Sequence, residues 1–350
     1  MKPVSADAPS VTPERRPAET FRRICVTPTR NEAWIIHRFL GAAKCWADDI
    51  IVADQGSVDG TLQIAQSTSG VMGVVNSSPV FDEVHRQQLL INAARALPGR
   101  RLIIALDADE ALSANHANSP DWNRIAAAAP GTMVRMKWVN ILPGFNEAWI
   151  PRVPTAFGLV DDGAPHAGRT IHNPRLPWRP GAPVLDLEDI VVVHFQYVVW
   201  ERMLSKQRWY QAWEHTKHNE RGPLEIFRMY NHMHGGWKRE EIRPLRGEWL
   251  EGYERAGINF RALACEPVTW WDREIASMLK ENGTEFFRRI AIWDKDWNAI
   301  ATQIGLKEVE FSDPRSVFEK LAHRCLSLSQ KRRANPLVRA LERLLRFRGW

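Results

Sequence analysis

Four short apolar runs punctuate the first third of the chain: "RICV" around Ile24, "DIIVA" around Ile51, "GVVN" around Val74 and "RLIIAL" around Ile103. Runs of that length suit strands buried on both faces. Between them, apolar positions recur at helical spacing. Ile35, Phe39 and Ala42 do so in "NEAWIIHRFLGAAK", and Val84, Leu89 and Ala93 in "DEVHRQQLLINAARAL". Strands alternating with helices predict a mainly parallel sheet with helices on both faces. The period then changes. "TMVRMKWVN" alternates, with Val134, Met136 and Trp138 on one side and Arg135 and Lys137 on the other, which predicts a half-exposed strand. Residues 143–186 are rich in Pro and Gly and read as long loops. "DIVVVHF" reads as one more buried strand, and residues 198–330 are helical in pattern and rich in Trp. The chain thus divides into a disordered tail (1–20), an α/β domain (21–200), a helical region (201–330) and a basic amphipathic helix (331–350).

Composition narrows the classes. With 44% hydrophobic and 25% charged residues, the chain is a soluble globular protein. A net charge of +6 favours polyanionic partners without choosing among nucleotide diphosphates, nucleic acid and anionic lipid. Cys25, Cys45, Cys265 and Cys325 are widely spaced and form no CxxC, so a reducing compartment is expected. The first twenty residues are Pro-rich without an apolar run, unlike a signal peptide. No apolar run is long enough to span a bilayer. The expected location is the cytoplasm, at most at the inner face of the membrane.

Ligands of open parallel sheets bind at the carboxyl ends of the strands. Three polar clusters fall at such ends: "TPTRNE" (Thr27 to Glu32), "DQGSVDGT" (Asp54 to Thr61) and "DADE" (Asp107 to Glu110). Three at corresponding positions point to one shared pocket. Gly56 and Gly60 permit a tight turn, leaving Asp54 at a strand tip, where it can accept a hydrogen bond from a base N–H. Ser57 or Asp59 can serve as the cap of the next helix. Asp107 and Asp109, two residues apart, converge on one side. Oxygen ligands at that density suit Mg²⁺ or Mn²⁺ bridging to phosphates.

"TPTRNEAWIIHRFL", "IIVADQGSVDGT", an "R…N" helix and "IALDADEAL", in that order, resemble glycosyltransferase family 2 over residues 22–115. The resemblance implies a GT-A fold, a nucleotide-sugar donor and transfer with inversion. It implies that Pro28, Glu32 and Asp54 hold the nucleotide, with Arg30 beside them. Asp107 would face ribose or sugar, Asp109 would bind the metal and Arg86 would approach the donor. Gln55 departs from the pattern, which has Asp or Ser there. Downstream, "VVVHFQYVVWERMLSKQRWYQ" is similar to a segment of bacterial members that modify cell-surface glycans. By that likeness His194 is a metal or diphosphate ligand, and Lys206, Arg208 and Tyr210 share one side of a helix near the donor or acceptor. Ser205 replaces the Gln of the QxxRW motif and argues against a processive synthase. For the general base, the loop "GLVDDGAPHAGRTIHNPR" offers Asp162, then Asp161, then His172. Related members show a His-Glu pair where this chain has His172-Asn173.

The expected activity is therefore metal-dependent, inverting transfer of a sugar to a glycan, lipid-linked or other hydroxyl acceptor, with no nucleic-acid partner. The alternative is a non-catalytic glycan- or membrane-binding protein with a decayed transferase domain. A nucleotidyltransferase needs a Gly-rich basic loop after the first strand, and "VTPTRNEAW" has no glycine; GxGxxG is also missing. His215, His218, His232 and His234 have no cysteine cluster beside them and do not read as a zinc site. Trp270, Trp271 and Trp293 read as core.

The C-terminus, "KRRANPLVRALERLLRFRGW", predicts a helix starting at Pro336. Leu337, Leu341 and Leu344 share one face, and Arg339, Arg343 and Arg346 the opposite one. Residues 331–350 hold seven Lys or Arg and a single acid, Glu342. Such a helix either lies on an anionic membrane surface or packs its leucines on the domain.

Overall fold

The computed structural model describes residues 21–350 apart from 79–80, 169–173, 218–220, 236, 238 and 307–308. Its first third alternates as the pattern predicts: β1 (Phe21–Thr29), α1 (Ile36–Lys44), β2 (Asp49–Asp54), α2 (Thr61–Ser67), β3 (Val71–Val75), α3 (Glu83–Ala96) and β4 (Arg100–Ala105). The four strands pair in parallel in the order β3-β2-β1-β4. Their residues alternate between two cores. Cys25, Ile50, Val52, Leu102 and Ile104 pack with Ile35, Phe39 and Leu40 at α1. Ile24, Val26, Ile51 and Ile103 pack on the other side with Leu90, Ile91 and Ala94 of α3.

α3 is turned from its expected phase. Its buried positions are Glu83, Gln87, Leu90, Ile91 and Ala94, whereas Val84, Leu89 and Ala93 are half-buried. Two of the buried five are polar, so apolar periodicity alone misplaces the face. They lie in the helix's first turns, beside the carboxyl ends of β1 and β4, where a cavity rather than apolar packing receives them.

After β5 (Glu110–Leu112) and α4 (Asp121–Ala127), "TMVRMKWVN" divides at the exposed Lys137 into β6 (Met133–Met136) and β7 (Trp138–Ile141), which belong to different sheets. The segment read as loops holds three strands, β8 (Glu147–Trp149), β9 (Thr155–Val160) and β10 (Val184–Asp186). β9 runs antiparallel between β4 and β6, while β10 pairs parallel to β6, closing a seven-stranded sheet. Its glycine reads as a breaker but is a packing position: a Cβ on Gly158 would stand 3.0 Å from that of Val134.

β11 (Val192–His194) is buried as predicted. Then come α5 (Trp200–Lys217), α6 (Pro223–Tyr230), β12 (Ile242–Pro244), α7 (Glu251–Arg255), α8 (Trp270–Asn282), α9 (Trp297–Gln303), α10 (Val317–Leu328) and α11 (Pro336–Phe347). A second sheet, β12-β8-β7-β11-β5, draws its edge strand from beyond residue 200. The C-terminal helices share a core of Trp209, Trp271, Trp293, Trp297 and Ile275, with Trp270 half-buried against it. The fold is thus mixed α/β, mainly parallel, with a helical C-terminal region. Among the described residues no helix is long and apolar enough to cross a membrane.

Candidate active site

The loops after β1 and β2 are stitched together by side chains. Ser57 Oγ accepts from the Asn31 N–H at 2.8 Å, Asp59 Oδ2 from the Ala33 N–H at 2.9 Å, and Thr61 Oγ1 from the Glu32 N–H at 2.7 Å. Gly56 and Gly60, with φ of 66° and 97°, allow the turn. Asp54 is held by Thr29 Oγ1 at 3.0 Å, the Ser57 N–H at 2.9 Å and Ser57 Oγ at 2.6 Å. A carboxylate has about four acceptor sites, so it keeps capacity toward the cavity that it lines with Gln55 and Asn76.

Beyond β4, "LIIAL" delivers three carboxylates into the fold. Glu110 is fully buried; Asp109 is nearly so. Arg175 clamps two of the three: Nη2 donates to Asp107 Oδ2 at 2.9 Å and to Glu110 Oε1 at 3.0 Å, and Nη1 also reaches Glu110. Much of the local charge repulsion is therefore relieved by the protein itself. The third, Asp109, faces Lys206 Nζ at 3.8 Å and His194 Nε2 at 3.5 Å. Burial disfavours the Asp109 carboxylate, but Lys206, His194 and Arg202 outweigh it and hold its carboxyl far below the usual range. Burial likewise opposes the Lys206 charge, and Asp109, Tyr210 and Asp107 prevail, raising it.

The imidazole of His194 is fixed. Asn140 Nδ2 donates to the backbone carbonyls of Trp138 and Trp149 at 3.2 and 3.3 Å, so its Oδ1 faces His194 Nδ1 at 2.7 Å. Nδ1 must then carry the proton, and Nε2 points to Asp109. Trp138 stacks on the ring at 4.9 Å. A lone pair on Nε2 would confront a carboxylate oxygen unless a proton or a cation lay between. A carboxylate suits Mg²⁺ or Mn²⁺, and an imidazole beside it favours Mn²⁺, the softer of the two. Among the described residues no group of three or more His, Cys, Asp or Glu could hold a metal ion. A cation here would thus rest on Asp109, His194 and the oxygens of a ligand.

Further residues close the cleft. Arg202 donates to Glu32 Oε2 at 2.6 Å and lies between the Trp34 and Trp271 rings, 4.4 Å from each. Burial and Asp109 raise the Glu32 carboxyl despite Arg202. Arg30 pairs with Glu274 and stacks on Trp270 at 4.4 Å. Pro28, Arg30, Glu32, Arg86, Asp107, Asp109, Lys206 and Tyr210 line one narrow cleft. It shares Arg30 and Gln55 with the Asp54 cavity, and Pro28, Arg86, Asp107, Lys206 and Tyr210 with a wider cavity that adds Glu83, Gln87, Trp138 and His194.

Three predicted residues, Arg208, Asp161 and Asp162, do not join this group. Arg208 lies about 200° around α5 from Lys206; it is buried against Asp294, at 2.8 and 2.7 Å, and lines a separate cavity. Ser205, one residue and about 100° from Lys206, turns to Asp272 and donates to it at 2.7 Å. Asp161 and Asp162 follow β9, whose antiparallel course carries them to the opposite edge of the sheet. The Asp161 N–H bonds the Arg101 carbonyl at the start of β4, about 20 Å along the strand direction from Asp107. Asp161 is held by Arg95 at 2.8 Å and by Arg101 at 3.3 Å, and Asp162 pairs with Arg179. Both are structural there, and neither reaches the cleft as a base. His172 and Asn173 lie outside the described residues.

Sequence reading missed Arg175, Asn140, Arg202 and the α8 residues Trp270 and Glu274. Arg175 stands within the loop searched for a base, but a search for carboxylates passes over a guanidinium. The buried run "DADE" called for positive charge, and the sequence reading assigned that charge to a metal ion rather than to a side chain.

No protein-family model matches the chain, and no curated protein matches it. Solved structures do. Glucosyl-3-phosphoglycerate synthase from Mycobacterium tuberculosis, in complex with Mn²⁺, UDP and glucosyl-3-phosphoglycerate, is 19% identical over 36% of this chain and 45% of its own, with a TM-score of 0.23. A nucleotidyl transferase from Methanothermobacter thermautotroptrophicus is 18% identical over 52% of this chain and 94% of its own, at 0.31. HddC from Yersinia pseudotuberculosis is 8% identical over 49% and 93%, at 0.29. The chain spans less than half of the Mycobacterium tuberculosis synthase. Likeness at this level carries no argument about chemistry, which rests on the site.

Proposed function

We propose that this chain is a metal-dependent, inverting glycosyltransferase of the family 2 type, moving a sugar from a nucleotide-sugar donor to a hydroxyl of a glycan or lipid-linked acceptor. One observation carries the reading. The tips of three adjacent parallel strands bring Glu32 and the Asp107–Asp109 pair to one cleft, with Asp54 in the cavity that adjoins it through Arg30 and Gln55, and Lys206 and His194 face the buried Asp109. Asp54, Gln55 and Asn76 give the base and ribose a hydrogen-bonding cavity. Lys206 and Arg86 supply positive charge for the diphosphate in the narrow cleft. Asp109 and His194 would hold the cation. When bound, it would neutralise charge on the departing diphosphate.

In the reaction, the acceptor oxygen forms a bond to the anomeric carbon as the bond from that carbon to the diphosphate oxygen breaks. The electron pair leaves with the diphosphate, and the acceptor proton goes to a base. With Asp161 and Asp162 at the far edge, we assign the base to Glu83. It is buried on the first turn of α3 and lines the wider cavity beside Asp107 and His194.

Calorimetric titration of UDP and of GDP, with and without Mn²⁺, tests the reading. One nucleotide should bind in a metal-dependent manner, and Asp109→Asn should abolish that dependence while preserving the fold. Unchanged metal-dependent affinity in Asp109→Asn would overturn the assignment of the cation site. Failure of every nucleotide diphosphate to bind the native protein would overturn the transferase reading.

A further inference from the structure

α11 is a twelve-residue helix with two apolar faces. Val338, Leu341 and Leu345 turn inward; Leu341 and Leu345 join Leu224 and Phe227 of α6 and Leu326 of α10. Glu342 belongs to this inner side and is bound by Arg228 at 2.9 Å. A second stripe, Leu337, Ala340, Leu344 and Phe347, recurs at i, i+3, i+7 and i+10 and turns outward. Leu337 is 80% exposed, Leu344 47% and Phe347 90%. Exposed Arg339, Arg343 and Arg346 flank that stripe, and none of them makes an ion pair among the described residues. The neighbouring α10 leaves Val317, Leu321 and Leu328 exposed on its own outer face.

An apolar stripe left in water beside a row of arginines is unfavourable for an isolated domain. The partner chemistry that fits both is an apolar layer under an anionic headgroup plane. We propose that α11 seats this protein on an anionic membrane surface, with Leu337, Leu344 and Phe347 entering the acyl boundary and the arginines meeting the headgroups. The helix cannot span the bilayer; twelve residues rise about 18 Å. The single leucine face expected from the sequence divides: Leu341 docks inward with Leu345, whereas Leu337 and Leu344 turn outward and remain for the lipid. The membrane proposal stands apart from the transferase reading and survives or fails without it.

The test is co-sedimentation of the full chain with phosphatidylcholine vesicles, with and without a third of phosphatidylglycerol. The protein should pellet with the anionic vesicles, about tenfold less with the neutral ones, and less at roughly 0.5 M salt. A Leu337→Ser/Leu344→Ser/Phe347→Ser variant keeps every charge and should lose about tenfold in vesicle partition at an unchanged melting temperature. If that variant melts lower, Phe347→Ser alone replaces it and should still lose several-fold. A native protein that stays in the supernatant overturns the proposal. So do serine variants that pellet as well as the native chain, since charge alone would then suffice. A native dimer dissolved by the same serines, without vesicle binding, would assign the stripe to a second copy instead.

Discussion

His194 presents Nε2 to Asp109 Oδ2 at 3.5 Å. The proton on the other ring nitrogen is fixed by Asn140, so the meeting of the two is set by an amide whose own bonds go to His194 and to the Trp138 and Trp149 carbonyls rather than to the cleft's carboxylates. Replacing Asn140 with Ala should therefore free the ring to flip or change tautomer. Metal-dependent nucleotide affinity should fall about tenfold, with metal-free affinity unchanged. Titration with and without Mn²⁺ reads both values, and an unaltered metal dependence would remove His194 from the cation site.

Arg175 holds Asp107 and the fully buried Glu110. Arg175→Met leaves the Glu110 carboxylate without its partner and should destabilise the fold by about 3 kcal/mol. Adding Glu110→Gln removes the stranded charge and should restore at least half of that loss. Urea denaturation of the single and double variants measures the difference. Equal stability of the two would mean that the clamp contributes nothing beyond packing.

The transfer step separates two sets of carboxylates. Glu83→Gln should keep donor affinity and reduce kcat at least about a hundredfold, as for a base that acts only in the chemical step. Asp162→Asn, at the far edge of the sheet, should transfer within a few-fold of the native rate. Steady-state kinetics on the same acceptor decides. The opposite pattern would return the base to the loop after β9.

Stability should fall on mild acidification. Burial depresses His116 to about 4, with Arg23 adding to the effect. Burial likewise depresses His323 to about 4, and its bond to the Arg289 carbonyl does not offset that. Unfolded histidine titrates near 6.5. Between those values the unfolded chain binds protons that the folded one does not, so stability is full above about pH 6.5 and declines toward about pH 4. By about pH 5 the loss should be about 2 kcal/mol per histidine. His323→Gln should remove about half of the combined decline in urea midpoints, and an unchanged slope would exclude this residue as a source.

What the sequence settled by itself was local. Apolar runs of strand length alternating with amphipathic helices determined the four parallel strands, because backbone geometry turns each period directly into an element. The rule that loops at carboxyl ends converge then carried Asp107 and Asp109 to one cleft and Asp54 to the cavity adjoining it, since each stands within a few residues of its strand. Tertiary structure decided whatever depended on a partner distant in the chain. The direction of β9 placed Asp161 and Asp162 at the wrong edge, and direction comes from pairing with β4 and β6, not from the composition of the segment. Arg208 stands two residues and about 200° from Lys206 on any helix, so spacing alone divides the two, and tertiary structure decided only that Lys206 is the one turned to the cleft, because which face of an evenly polar, Trp-rich helix turns inward depends on what packs against it. The cation that meets Asp107 and Glu110 arrives from a loop some 65 residues later. Only the folded sheet brings Arg175 across that separation, and the electrostatic demand of a buried acidic run fixes that a cation must come without fixing which one.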